Sequence, residues 1–146
     1  MSLDKRLEAI LRDAPNLMHV METARELDLP DWLIFSGAIY QKVLNHLTGR
    51  EPDYGLKDYD LGYFDGSDLS WDAEDVVIKQ VAARFQPPFS DLVEVRNQAR
   101  VHLWFEQRFG EAYAPLADTA VASVSVPLPL AAAARSISSS CCNFRS

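Results

Sequence analysis

The chain has 146 residues, of which 48% are apolar and 24% charged; these are values of a folding globular protein, and the length suits one domain of ordinary size. With 21 acidic against 14 basic residues the formal charge is -7, which excludes a surface built mainly to neutralise a nucleic-acid backbone. Nucleotides stay open as ligands, because metal ions and a few local arginines can screen their phosphates.

The N-terminus mixes Asp4, Lys5, Arg6 and Glu8 with Leu and Ile and lacks the apolar centre of a signal peptide. The longest weakly polar run, 121–134, is too short and too interrupted to span a bilayer, so no membrane segment is expected. Leu3, Leu7, Ile10 and Leu11 recur at helical spacing, as do Leu17, Met21, Ala24 and Leu27, with Pro15 as the breaker between two packed helices. The run Trp32-Leu33-Ile34-Phe35 predicts a short strand that stops at Ser36-Gly37-Ala38. A helix burying Ile39, Val43 and Leu47 follows, closed by Thr48 and a left-handed Gly49.

A polar loop leads into Leu56-Lys57-Asp58-Tyr59-Asp60-Leu61-Gly62-Tyr63-Phe64-Asp65, whose alternation predicts a second strand. Ser70 then caps a helix with Asp72, Glu74 and Asp75 near its positive end, a pattern of helix stabilisation rather than catalysis. That helix buries Ala73, Val77 and Val81 before Pro87-Pro88. Leu92-Val93-Glu94-Val95 predicts a third strand, and a final helix buries Val101, Trp104 or Phe105, and Phe109, with Gly110 as its stop. The alternation of strands and helices points to an α/β (α+β) fold, a mixed sheet flanked by helices with an N-terminal helical pair. Residues 1–119 are expected to form a single domain. From Thr119 onward there is no Asp, Glu or Lys, and 120–146 reads as a weakly ordered, atypical tail. The two cysteines, Cys141 and Cys142, are adjacent and make neither a disulfide framework nor a spaced metal site, which suits a reducing cytoplasm.

Asp58 and Asp60 stand two apart on the second strand, so both face one side with Cα atoms about 6 to 7 Å apart, and both can reach one divalent ion. Glu94, flanked by Val93 and Val95, needs water, a partner or a metal. Three carboxylates from neighbouring strands make a hard oxygen site suited to Mg²⁺ (or Mn²⁺), which keeps room for water and substrate phosphates. Ser36 and Gly37 add a turn at a helix N-terminus where phosphate oxygens can approach backbone N–H groups. Arg96 and Arg100 are candidates to grip phosphates or to pair with Glu94. Gly37 also fits a plain tight turn, and Asp58 and Asp60 a solvated strand end.

Phe35-Ser36-Gly37-Ala38, then Lys57-Asp58-Tyr59-Asp60-Leu61, then Val93-Glu94-Val95 resembles the DNA polymerase β-type nucleotidyltransferase superfamily pattern. More closely, Ser36 to Gln41, Asp58 to Asp65 and Val93 to Trp104 resemble a bacterial family of nucleotidyltransferases over roughly Trp32 to Asp118. The resemblance implies Asp58, Asp60 and Glu94 as metal-holding catalytic carboxylates, with Ser36, Gly37, Arg96 and Arg100 on the substrate phosphates. It also implies an NTP as donor and an acceptor that is a small molecule, a protein or an RNA. The superfamily turn usually reads Gly-Gly or Gly-Ser, whereas Gly37 is followed here by Ala38. Sequence beyond Thr119 is expected to resemble none of the family, as a frameshift or truncation would leave it. A catalytically silent nucleotide-binding module of the same fold is the alternative.

His19, His46 and His102 show no metal-ligand spacing. A calcium loop starting at Asp58 would need Gly and Glu where Tyr63 and Leu69 stand. Asp65 and Asp68 are expected to shape a loop.

Overall fold

The computed structural model describes residues 1–119, and the tail expected over 120–146 lies outside them. Helix α1 (Leu3–Arg12) starts at Ser2, whose hydroxyl accepts the Lys5 N–H at 3.4 Å. Helix α2 (Pro15–Leu27) starts on a proline, whose missing N–H would have had no partner in the first turn anyway. The two form the expected N-terminal pair. They bury Leu11, Leu17, Val20, Met21 and Ala24 in one cluster.

Strand β1 (Leu33–Phe35) leads through Ser36 into α3 (Gly37–Leu47), and strand β2 (Tyr59–Tyr63) and helix α4 (Trp71–Arg84) follow. A single turn, α5 (Phe89–Leu92), feeds strand β3 (Val93–Asn97), a 3₁₀ turn over Gln98–Arg100, and α6 (Val101–Phe109). The sheet order is β1-β2-β3, with β1 antiparallel and β3 parallel to the central β2. This is the expected mixed sheet flanked by helices. Strand β2 is shorter than its alternating sequence suggests, so Asp58 lies one residue outside it. Among the described residues no helix is long and apolar enough to cross a membrane.

Period-two alternation gives the sheet two unlike faces. Ile34, Tyr59, Leu61, Tyr63 and Val95 enter the core with the cluster from α1 and α2, Ala38 and Ile39 of α3, and Val81 of α4. The opposite face carries Phe35, Asp60 and Glu94 in one row and Gly62 beside Arg96 in the next. Gly62 is dictated by packing: a Cβ there would stand 2.5 Å from Phe35 Cε1 and 3.1 Å from Gln98 Cγ. The missing side chain lets the Phe35 ring and the Gln98 amide lie down over β2.

Two buried polar clusters tie the elements together. Lys42, 2% exposed, pairs with Asp53, which also accepts from Asn16, while the Lys42 ammonium sits 5.4 Å from the Tyr59 ring centre. Asn45 donates to the Pro52 and Tyr54 carbonyls at 2.9 and 2.8 Å, so α3 holds the loop that delivers the chain to Asp58. The second cluster gives Glu74, an acid in the first turn of α4 as expected, a tertiary role as well. It is 4% exposed, accepts the Asn97 N–H at 2.8 Å and pairs with Arg100, joining α4 to the end of β3. Beside it, burial and then the Glu74 and Asp65 carboxylates push the Tyr63 hydroxyl up to about 12, against the opposing pull of Arg100.

Helix α6 departs from expectation as well. None of its residues is fully buried, and Trp104 and Phe109, expected in the core, are exposed. The described part of the helix packs mainly on the 3₁₀ turn before it, with Phe105 against Phe109 and Tyr113. Asp65 and Asp68 do shape a loop, accepting the Ser67 and Ser70 N–H groups at 2.9 Å each.

Gly62→Ala should lower stability by about 1 to 3 kcal/mol through overpacking against Phe35, read from the urea midpoint; an unchanged midpoint would refute the packing account. Arg100→Met, which strands the Glu74 carboxylate, should remove about 3 kcal/mol or more, and adding Glu74→Gln should restore part of that loss.

Candidate functional site

The site begins at the turn between β1 and α3. Ser36 takes φ 63 and ψ -141, a backbone region relaxed almost only for glycine, at a cost of about 1 to 3 kcal/mol. The unusual backbone of this turn therefore lies at Ser36 and not at the glycine beside it. Gly37 keeps an ordinary φ, and a Cβ on it would meet only the Tyr40 hydroxyl at 3.5 Å, an ordinary contact. The Ser36 carbonyl accepts the N–H groups of Ile39 and Tyr40 at 3.0 and 3.3 Å. Gly37 N–H, at the positive end of α3, stays outside the helix ladder. Ser36 does not cap the helix with its side chain. Its hydroxyl instead hydrogen-bonds to the Asp60 carboxylate.

Asp60 occupies the middle of the exposed row. It pairs in register with Phe35 on β1 and with Glu94 on β3, so the two acids stand side by side on adjacent strands about 4.8 Å apart along the backbone. Burial pushes the Asp60 carboxyl above its ordinary range, the neighbouring Asp58 adds to this, the Ser36 hydroxyl opposes it, Glu94 raises it again and Arg96 lowers it. All five residues therefore share one field, and Ser36, Asp58, Asp60, Glu94 and Arg96 are brought together.

The expected three-carboxylate metal site is not assembled as such. Among the described residues no group of three or more His, Cys, Asp or Glu side chains is gathered closely enough to hold a metal ion. Like charges on one face repel, and Asp60 carries that penalty from Asp58 and Glu94. The donor chemistry itself fits a hard divalent cation, since all three side chains are carboxylates and Asp60 carries a field that a cation would relieve.

The two arginines separate. Arg96 follows Glu94 by two on β3, so it lies on the same face; its guanidinium donates to the Val95 carbonyl at 2.8 Å and has no carboxylate within ion-pair distance among the described residues. Arg100, expected on phosphate, is committed to the Leu69 carbonyl at 2.9 Å, to Glu74 and to the Trp71 ring at 5.5 Å. It is a clamp that shapes the wall of the site.

A groove of about 720 Å³ opens on this face, with Asp60, Glu94 and Arg96 on its floor and Trp71, Leu103 and Trp104 on its walls. Sequence reasoning missed Trp71 and Gln98 as parts of it, and Gly62 as the residue against which Phe35 and Gln98 pack. A glycine inside an aromatic strand was the available signal for close approach at Gly62; the wall from α4 and α6 had none, because it is made by elements far apart in the chain. His102 Nδ1 is buried without a partner among the described residues and does not line the groove.

The sequence pattern of a family described as Nucleotidyltransferase matches residues 22–134. The match begins inside α2 and runs past Thr119, so the expected break from the family at that residue is corrected: the likeness continues through residue 134. No curated protein matches the chain. A solved NMR structure, described as revealing a CCA-adding enzyme head domain, is similar to this chain at 21% identity and a TM-score of 0.59. The likeness covers 79% of this chain and spans 57% of that one, and at such identity it is a likeness of fold. A mixed sheet flanked by helices, an acidic row on its open face and a family pattern over most of the sequence lead to one assignment: the chain belongs to a nucleotidyltransferase family.

Proposed function

We propose that this protein, a member of the DNA polymerase β-type superfamily forming one domain over 1–119, moves a nucleoside monophosphate from an NTP to an acceptor in the cytoplasm. The observation that carries the reading is the register of Asp60 with Glu94, with Asp58 two residues from Asp60 and the Ser36-Gly37 turn adjoining. Mg²⁺ or Mn²⁺ would be held by Asp58, Asp60 and Glu94, supplying neutralisation of phosphate charge and activation of the attacking oxygen when bound. Glu94 accepts the proton of the acceptor hydroxyl, the acceptor oxygen bonds to the α-phosphorus, and the bond from that phosphorus to the departing pyrophosphate oxygen breaks. Gly37 N–H holds a phosphate oxygen at the positive end of α3, the Ser36 hydroxyl moves its one proton from Asp60 to a phosphate oxygen as the cation takes up that carboxylate, and Arg96 offsets charge on the floor.

One observation favours a second reading, a nucleotide-binding module without turnover: the three carboxylates are not gathered into a ligand cluster. Calorimetry with Mg²⁺ and NTPs beside a product assay separates the two, since binding without product supports the module.

Incubation of the protein and labelled NTPs with cell extract should yield a labelled acceptor, and Asp60→Asn should reduce labelling at least a hundredfold, about the several kcal/mol a metal-site carboxylate contributes. Equal labelling by the two proteins would end the catalytic reading.

A pH test rests on Asp60 alone. Its carboxyl is raised in the folded chain from the ordinary 3.8, so its favourable contribution is present below that value and is lost as pH rises through the folded value. Asp60→Asn should therefore melt higher than the parent at neutral pH in metal-free buffer, with the gain vanishing near pH 3, and added Mg²⁺ should raise the melting temperature of the parent more than that of the variant. A variant that melts no higher at pH 7 would contradict this.

A further inference from the structure

The groove has a second half that the carboxylates do not use. Its floor holds Asp60, Glu94 and Arg96, while its far walls carry two tryptophan rings, Trp71 from the start of α4 and Trp104 from α6. Both rings are more than half exposed, at 57% and 53%, although indole normally contributes buried area. Each ring has a cation beside it. The Arg100 guanidinium lies 5.5 Å from the Trp71 ring centre and that of Arg108 lies 5.7 Å from the Trp104 ring centre, each within the range of a cation held over an aromatic face. The Phe109 ring also meets Trp104 at nearly a right angle, 6.0 Å between centroids, and more than half of each indole stays exposed to a flat ligand.

The order of parts across the sheet matches the order of parts in an NTP. The Ser36-Gly37 turn leaves β1, Asp60 stands on β2, Glu94 and Arg96 stand on β3, and α4, which carries Trp71, packs on β3, with neighbouring strands about 4.8 Å apart. The groove includes Asp60 but not the turn, so a triphosphate laid from the turn across Asp60 directs its nucleoside into the groove. A volume of about 720 Å³ falls in the range of small-molecule sites.

We propose that Trp104 and Trp71 form the nucleobase subsite, in which the base of the NTP stacks on the indole faces. The assignment rests on the reading of the floor as the phosphate end of the site. Stacking recognises the π-face that every base carries, so it holds the nucleoside without reading its edge.

The chain has three tryptophans, and Trp32, packed against the core, serves as internal control. With ¹⁵N-labelled tryptophan, adenosine 5′-(α,β-methylene)triphosphate and Mg²⁺ should shift the Trp104 and Trp71 indole N–H signals and leave Trp32 in place, whereas tripolyphosphate and Mg²⁺ should leave all three. Trp104→Ala should bind the analogue about tenfold more weakly and Trp104→Phe within about threefold of the parent. Failure of the analogue to bind, binding with both indole signals unmoved, equal shifts with tripolyphosphate, or unaltered affinity in Trp104→Ala would each overturn the proposal. Because the readout is binding, an inactive protein that stacks the base would sink the transferase reading and spare this one.

Discussion

Two carboxylates in register on adjacent parallel strands, with a third two residues from one of them, repel one another across one face of the sheet. Much of the site follows from that constraint. The Ser36 hydroxyl is turned to Asp60 rather than to the helix it precedes, and the backbone holds it there in a conformation that serine tolerates poorly. Arg96 stands two residues from Glu94 on the same face and draws Asp60 back toward its charged form. A row of acids with so few internal partners is in electrostatic debt, and a divalent cation with a triphosphate is the kind of ligand that relieves it.

Among the described residues the sheet that carries this row has three strands, and its two faces are covered unequally. One face is closed by α1, α2, α3 and α4 around Leu61, Tyr59 and Val95. The other is floored by Phe35 and Gln98 lying over Gly62 and walled by α4 and α6. The Glu74–Arg100 clamp fixes that wall by tying α4 to the end of β3, and the Asn97 side chain adds bonds to Asp65 on both its oxygen and its nitrogen. Rigid surroundings suit a site whose ligand, not its side chains, supplies the missing charge.

The parts of the fold that local rules govern were legible. Ser70 does cap α4 through its hydroxyl, Gly49 and Gly110 do take left-handed conformations, and the alternation around Asp60 does mark a strand. The acidic row could be inferred because a spacing of two on a strand means one face, and because an acid between valines must leave the core. Glu74 does stand in the first turn of α4, but its pairing was not legible, because an acid there has a sufficient local explanation and its partner Arg100 lies 26 residues away. Trp104 was misread because apolar residues in α6 follow no single stripe, so composition suggested burial where the described fold offers no core to receive it.

The sequence by itself determined the order of the three strands and the longer helices, that Asp58, Asp60 and Glu94 would leave the core, and that a small-residue turn would precede a helix beside them, because each depends on neighbours within a few positions. Only the tertiary structure decided that Asp60 and Glu94 are register partners, that Ser36 rather than Gly37 carries the unusual backbone, that Arg100 is bound to Glu74 while Arg96 stays on the floor, and that two tryptophans border the groove. Those outcomes arise from strand pairing and side-chain burial between distant segments, and the free energies that choose among them are differences in packing and charge across space that no run of adjacent residues encodes.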